Sequence, residues 1–226
     1  MDQASLVFSI AHAVGASIIQ GTLPPGASIS SVAIARAFDT SRAPVRDALI
    51  ILEREGLLEV SNGRAARVIR MSLNEVRMIY EVRAALHELI AERIVKSAPD
   101  QAIAGLRGQH RELILLAEAG DVDGYFWANV DFRDAEANVA GNEVARQVLD
   151  SLGLRTLLVR HVSLSLPNRL RQSMDDHERL IVAYETRNEL LAVAVTRTIV
   201  YAGLAAIESS WSTRLVQPVD TLRGDT

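Results

Sequence analysis

The chain is predicted to be mainly α, with a small head of three helices and a β-hairpin ahead of an all-helical bundle. Three observations predict this. Within the first 70 residues a Gly/Pro-rich break separates short helical patterns from two short apolar runs flanking Ser61-Asn62-Gly63-Arg64-Ala65. From residue 72 onward apolar residues recur at helical spacing without strand alternation. Only Pro99 and Pro167 interrupt that stretch before residue 200.

In the head, apolar periodicity predicts a helix from about Leu6 to Gln20, ended by Gly21-Thr22-Leu23-Pro24-Pro25-Gly26. A short helix follows over about Ser31 to Phe38. Ser41 is suited to cap the next one, because its hydroxyl can accept from an orphan N–H of the first turn, and Pro44 is early enough to be tolerated. Arg42 and Arg46 lie four apart on one face, while Val45, Ala48, Leu49 and Leu52 form the opposite, inward stripe. Gly56 ends the helix, and Leu57 to Val60 and Ala66 to Ile69 pair across a turn carrying Arg64. Helix, hairpin and basic tip describe a winged helix-turn-helix over residues 1–70, which makes double-stranded DNA the expected partner.

At this point the chain resembles the GntR family of bacterial transcription regulators. The pattern runs through Gly21, Leu23, Pro25, Gly26 and Ala35, then Ser41 to Leu49, and Leu52, Glu55, Gly56 and Leu57. Where the family often has glycine at the position of Ala65, this chain has Gly63 instead. The expected DNA contacts are Arg36, Ser41, Arg42, Ala43 and Arg46 in the head, with Asn62, Gly63 and Arg64 at the wing tip. Asp47 and Glu53 are close enough in sequence to compete for those arginines as ordinary surface ion pairs.

Composition agrees with such a division of labour. The 226 residues are 49% hydrophobic and carry a net charge of −4, but residues 1–70 hold 7 Arg against 6 acidic residues, a balance of +1 that leaves −5 for the rest. With no cysteine, disulfides and thiolate metal sites are excluded. No stretch is read as approaching the ~20 continuous apolar residues of a membrane span. The start of the chain lacks the basic-then-apolar order of a secretory signal, so a cytoplasmic protein with no membrane partner is expected.

The second domain is assigned to residues 71–211. Ser72-Leu73-Asn74-Glu75 reads as a capping box opening a helix to about Ala98. Further helices are expected at about 100–119, 121–140, 142–165, 174–187 and 189–211, with Asp100, Asp121, Asn142, Ser173 and Asn188 as caps. Residues 212–226 lose the periodicity and read as a loose tail. Polar residues placed on apolar stripes are the informative ones, since burial without a partner is costly. Arg83 and His87 share a face with Tyr80 and Ile90; Asn129 and Arg133 share one with Phe126 and Ala137; His177 lies with Leu180 and Ile181; and Thr198 falls on the apolar stripe of the last helix. Together they suggest an effector pocket inside the bundle.

This half resembles the FCD effector domain of FadR-like members of the same family, on Tyr80-Glu81-Val82-Arg83, on Phe132 to Asn142, and on Asp175 to Ile181. Many such domains hold a divalent metal through an Asp, a His four residues on, and two later histidines. The matching positions here are Asn129, Arg133, His177 and Thr198, a set that argues against a metal cofactor. Arg133 is instead expected either to meet a small organic acid directly, with Arg83 and His177, or to pair with Glu136 inside the fold. The resemblance implies a homodimeric, ligand-responsive regulator, more often a repressor. The alternatives are a regulator whose pocket has degenerated and an enzyme using His87, His177 and Asp176, for which no recognisable nucleophile or phosphate motif is present.

Overall fold

Local punctuation sets the head. In the computed structural model, which describes residues 3–59 and 66–214, α1 (Gln3–Ile19) stops before Gly21, which takes a positive φ of 80°. Ser30 then caps α2 (Ser31–Ala37), its Oγ accepting from the Ala33 N–H at 3.2 Å. Ser41 stands at the N-cap of α3 (Arg42–Arg54) in extended backbone, but its hydroxyl makes no capping bond, contrary to the sequence expectation. The start of α3 is fixed from beneath, by the buried Pro44 and Val45. Gly56, at φ 74°, turns the chain out of α3 into β1 (Leu58–Glu59), which pairs antiparallel with β2 (Arg67–Val68). A third run joins this hairpin: the Ile29 N–H donates to the Ala66 carbonyl at 2.7 Å and the Val68 N–H to Ala27 at 2.9 Å. Ile10, Ile18, Val45, Leu52, Leu57 and Val68 fill the core beneath. Each such side chain contributes ~1.5–3 kcal/mol by leaving water. The predicted wing tip, including Asn62, Gly63 and Arg64, lies outside the described residues.

The bundle follows as α4 (Leu73–Ser97), α5 (Asp100–Ala119), α6 (Val122–Ala140), α7 (Glu143–Ser151), α8 (Leu154–Leu164), α9 (Arg169–Glu185) and α10 (Glu189–Arg214). The capping box at Ser72 and Glu75 is formed in both directions, and Asp121, Asn142 and Asn188 each accept from a first-turn N–H. Four boundaries differ from the sequence reading. Asp100 is the first residue of α5 and Pro99 its cap. The single helix expected over 142–165 is two, broken at Gly153, whose φ of 66° belongs to glycine. A Cβ there would stand 2.8 Å from the carbonyl oxygen of Glu55, so the break is where the bundle docks on the end of α3. Helix α9 starts at Arg169, five residues early, which puts Ser173 inside it rather than at its cap. Helix α10 continues to Arg214 instead of fraying at 212.

The last helix also corrects the membrane expectation. Glu189–Trp211, 23 residues with a mean hydropathy of 1.9, is long and apolar enough to span a bilayer by length and composition. In the fold it packs along α4 and α9, burying Ala192, Val195, Val200, Leu204 and Ile207, and its Arg197 pairs with Glu88 at 2.7 Å.

Candidate functional site

The first turn and a half of α3 presents Ser41, Arg42, Ala43 and Arg46 to solvent, over the buried Pro44, Val45, Ala48 and Leu49. Arg36, at the end of α2, is exposed as well. The competition expected from Asp47 and Glu53 does not occur: among the described residues no carboxylate pairs with Arg36, Arg42 or Arg46, and Arg42 reaches only the Ser31 hydroxyl, at 3.5 Å. Arg67, by contrast, is engaged, donating to the Gly26 carbonyl at 3.2 Å. Exposed, unneutralised guanidinium groups at the start of a helix lying over a helix-turn-helix are what a major-groove reader requires.

The second feature is a pocket inside the bundle whose wall carries four arginines: Arg83 of α4, Arg133 of α6, Arg160 of α8 and Arg169 of α9. Asn129, His177, Ser163, Ser173 and Tyr80 complete its polar lining. Among the described residues only Arg133 has a carboxylate partner. Its Nη1 donates to Glu136 Oε2 at 2.7 Å, and the other oxygen of Glu136 accepts from the Tyr184 hydroxyl at 2.7 Å. Arg83 lies over the Tyr80 ring, 4.8 Å from its centroid. Arg160 donates through Nη2 to Asn129 Oδ1 at 2.8 Å, and Arg169 through Nη1 to Gln172 at 2.6 Å. Burial, reinforced by Arg83 and Arg133 alongside, pushes the Arg160 pKa down to about 9, so it remains a cation at neutral pH. Three positive charges therefore face this pocket without a direct carboxylate pair among the described residues, with only Asp134 near Arg160 and Asp176 near Arg169, an arrangement suited to an anion.

A hydrogen-bond chain fixes the protonation of His177. Its Nδ1 sits 2.6 Å from the Ser173 carbonyl, which can only accept, so Nδ1 carries the hydrogen. Asn129, with Oδ1 held by Arg160, turns its amide Nδ2 to His177 Nε2 at 3.1 Å, so Nε2 accepts. Burial, with Arg133 nearby, drives the His177 pKa well below its ordinary value, and the same causes act on His87. Both are neutral. This set does not fit a metal: the one imidazole lone pair at the position is occupied by an amide, and a guanidinium stands beside it.

Five of the six residues expected from sequence, Arg83, His87, Asn129, Arg133 and His177, are buried and close around this region. Thr198 is not among them. It is exposed and its hydroxyl donates to the Ala194 carbonyl at 2.9 Å; the face of α10 that meets the pocket is Ile199, Val200 and Gly203. Helix α10 is apolar nearly all round, so its sequence does not set its rotation. The reading also missed Arg160 and Arg169. Arg160 shares a stripe with Thr156 and Ser163 inside α8, a local signal that the reading passed over.

Residues 7–68 match the GntR family of bacterial regulatory proteins and residues 78–202 match the FCD domain. The chain belongs to the GntR family and carries an FCD domain; it is a DNA-binding transcription regulator of that class. It is similar to the gluconate operon transcriptional repressor of Bacillus subtilis, 24% identical over 85% of this chain and 81% of that one. An HTH-type transcriptional regulator of Agrobacterium vitis is 31% identical over 62% of this chain and 82% of its own length. Among solved structures, E. coli McbR/YncC has the same fold, with a TM-score of 0.78, 21% identity and coverage of 91% and 98% of the two chains.

Proposed function

We propose that this regulator binds operator DNA in the cytoplasm as a homodimeric repressor and is released by a small organic anion held at the buried arginines. The observation that carries the effector half is that Arg83, Arg160 and Arg169 enter one pocket without a carboxylate partner among the described residues. Burying cations costs several kcal/mol each, and a fold retains them where an anion recovers that cost. Ser41, Arg42, Ala43 and Arg46 would read base edges, Arg36 would hold a phosphate, and Asn62, Gly63 and Arg64 would reach from the wing. Within the pocket Asn129, held in turn by His177, orients Arg160, and Arg133 stands beside them with Glu136 as its partner.

Support for two copies comes from α4, where Met78, Val82 and Leu89 stand 50%, 44% and 38% exposed along one side of the helix. Doubling one winged helix on a near-palindromic site is the usual route to specific affinity. A relative named for an operon of an organic acid agrees with an anionic effector.

The test is fluorescence anisotropy on the DNA upstream of the regulator's own gene, titrated with small carboxylates, alongside thermal shift of the protein alone. An effector stabilises the protein by mass action and releases the DNA. Arg133→Ala should remove both effects. Stabilisation that persists undiminished in that variant makes Arg133 structural, and DNA binding indifferent to every acid leaves a constitutive regulator.

A further inference from the structure

The arginine pocket itself is small, about 40 Å³. A single water needs roughly 10–15 Å³ in this measure, so the space holds about three waters or one carboxylate and leaves no room for the rest of a metabolite. A larger cavity of about 220 Å³ lies on the other side of Arg83, Arg133 and Arg160, which line both spaces. Its far wall belongs to the DNA-binding head and to the break it packs on: Glu55, the C-cap of α3, and Leu152 to Leu154.

Three buried side chains lining this second cavity hold a polar atom with no partner among the described residues: Arg133 Nη2, His87 Nδ1 and Thr156 Oγ1. They are 6%, 5% and 7% exposed. Unmet buried polar groups call for a partner, and here the guanidinium and the hydroxyl can donate, as can the neutral imidazole when its hydrogen is on Nδ1. The rest of the interior is largely aliphatic, with Leu149 and Leu157 prominent; its acids, Glu55, Asp134 and Asp150, are all exposed, and Arg146 lines it beside Asp150, with which it pairs at 2.9 Å. Donors therefore lie deep and carboxylates outside.

Resting on the anion reading above, we infer that the second cavity is the effector's body site and takes a monocarboxylate with a compact apolar body. Its carboxylate lies beside Arg83 and Arg160, cations without a carboxylate pair among the described residues, and accepts from Arg133, from Thr156 and from His87 in its Nδ1–H tautomer; its body packs on Leu149 and Leu157 against the end of the recognition helix. An apolar cavity of ~150 Å³ accepts benzene, so 220 Å³ takes an aromatic ring or a branched chain of similar size. A second carboxylate would face three acids and a single cation, Arg146, which Asp150 and Glu143 already engage, and this disfavours dicarboxylates.

Calorimetric titration of the full-length protein with acetate, phenylacetate, succinate and gluconate tests this. Phenylacetate should bind at least tenfold more tightly than the other three. Thr156→Val, which removes a hydroxyl that bonds to no described residue, should leave the unliganded melting temperature unchanged or raised while weakening phenylacetate about tenfold. Leu157→Phe, which fills the cavity, should remove the advantage of phenylacetate over acetate. Acids that bind in an Arg133-dependent way without favouring phenylacetate, or phenylacetate binding untouched by Thr156→Val, overturn this inference alone. Acids that bind with no dependence on Arg133 overturn it and make Arg133 structural, and no acid binding at all overturns it together with the anion reading.

Discussion

Arginine does opposite work in the two halves of this molecule. In the head, Arg42 and Arg46 are exposed on the first turns of α3, with no ion pair among the described residues. In the bundle, Arg83, Arg133 and Arg169 are buried, and each has its own device: an aromatic face, a buried glutamate, a glutamine. A hydrated guanidinium costs the fold nothing to hold and suits a polyanion whose counterions it displaces. A desolvated one must be supported continuously, and it discriminates, because few small molecules replace its lost water. Placement in water or out of it separates a DNA reader from a metabolite sensor.

The sharpest way to break that comparison is to remove the support of a buried cation. Glu136→Gln keeps the shape but leaves Arg133 uncompensated, and should cost about 3–5 kcal/mol, a fall of roughly 10 °C in melting temperature for a chain of this size. A shift within the scatter of surface substitutions would mean that Arg133 is hydrated after all. In the head the same logic predicts affinity loss without instability. Arg46→Ala should weaken operator binding about tenfold to a hundredfold in anisotropy at physiological salt, and Arg42→Ala by a similar factor. The melting temperature of either variant should stay within about 0.5 kcal/mol of the parent's stability.

The halves also differed in how far the sequence exposed them. The elements of the head that fall on described residues could be read from local signals in its turns and its two-sided α3, which holds the arginine pair, although the expected capping bond of Ser41 does not form. Arg83, His87, Asn129, Arg133 and His177 could be placed inward because α4, α6 and α9 each offer a polar residue on an apolar stripe. The pocket's remaining wall could not. Arg160 sits in a helix that the reading fused with α7 across Gly153, where contact with Glu55 selects the break, and Thr198 was misplaced because α10 is apolar nearly all round. Ser173, suited to capping, was claimed by the interior instead, where it supports His177.

The junction between the halves gives a third prediction. Gly153→Ala meets the Glu55 carbonyl at 2.8 Å in a backbone conformation alanine disfavours, for a cost of about 1–3 kcal/mol. Because Gly153 also borders the larger cavity, the variant should loosen the grip of α8 on the head and reduce the release of DNA by added carboxylate. Operator affinity without effector should change little. Release as complete as in the parent would mean that the halves communicate by another path.

The effect of pH builds up gradually rather than at one substitution, and it sharpens the contrast. His87 and His177 are buried and neutral, with pKa values pushed well below the ordinary 6.5, first by desolvation and then by Arg133. The unfolded chain therefore binds protons that the folded chain refuses. Stability is complete above pH 6.5 and is lost as the pH falls from there toward the folded values, at about 1.4 kcal/mol per pH unit for each group. The melting temperature should decline between pH 7 and pH 5.5, and His87→Gln, which replaces a side chain with no hydrogen bond to a described residue, should flatten the decline. The head buries no histidine, since its His12 is exposed. Hydrogen exchange at pH 5.5 should accordingly show amides of α4, α6 and α9 losing protection before those of α3. If both halves soften together, the buried histidines are not the acid-sensitive element and the distinction between a hydrated head and a desolvated sensor fails at that point.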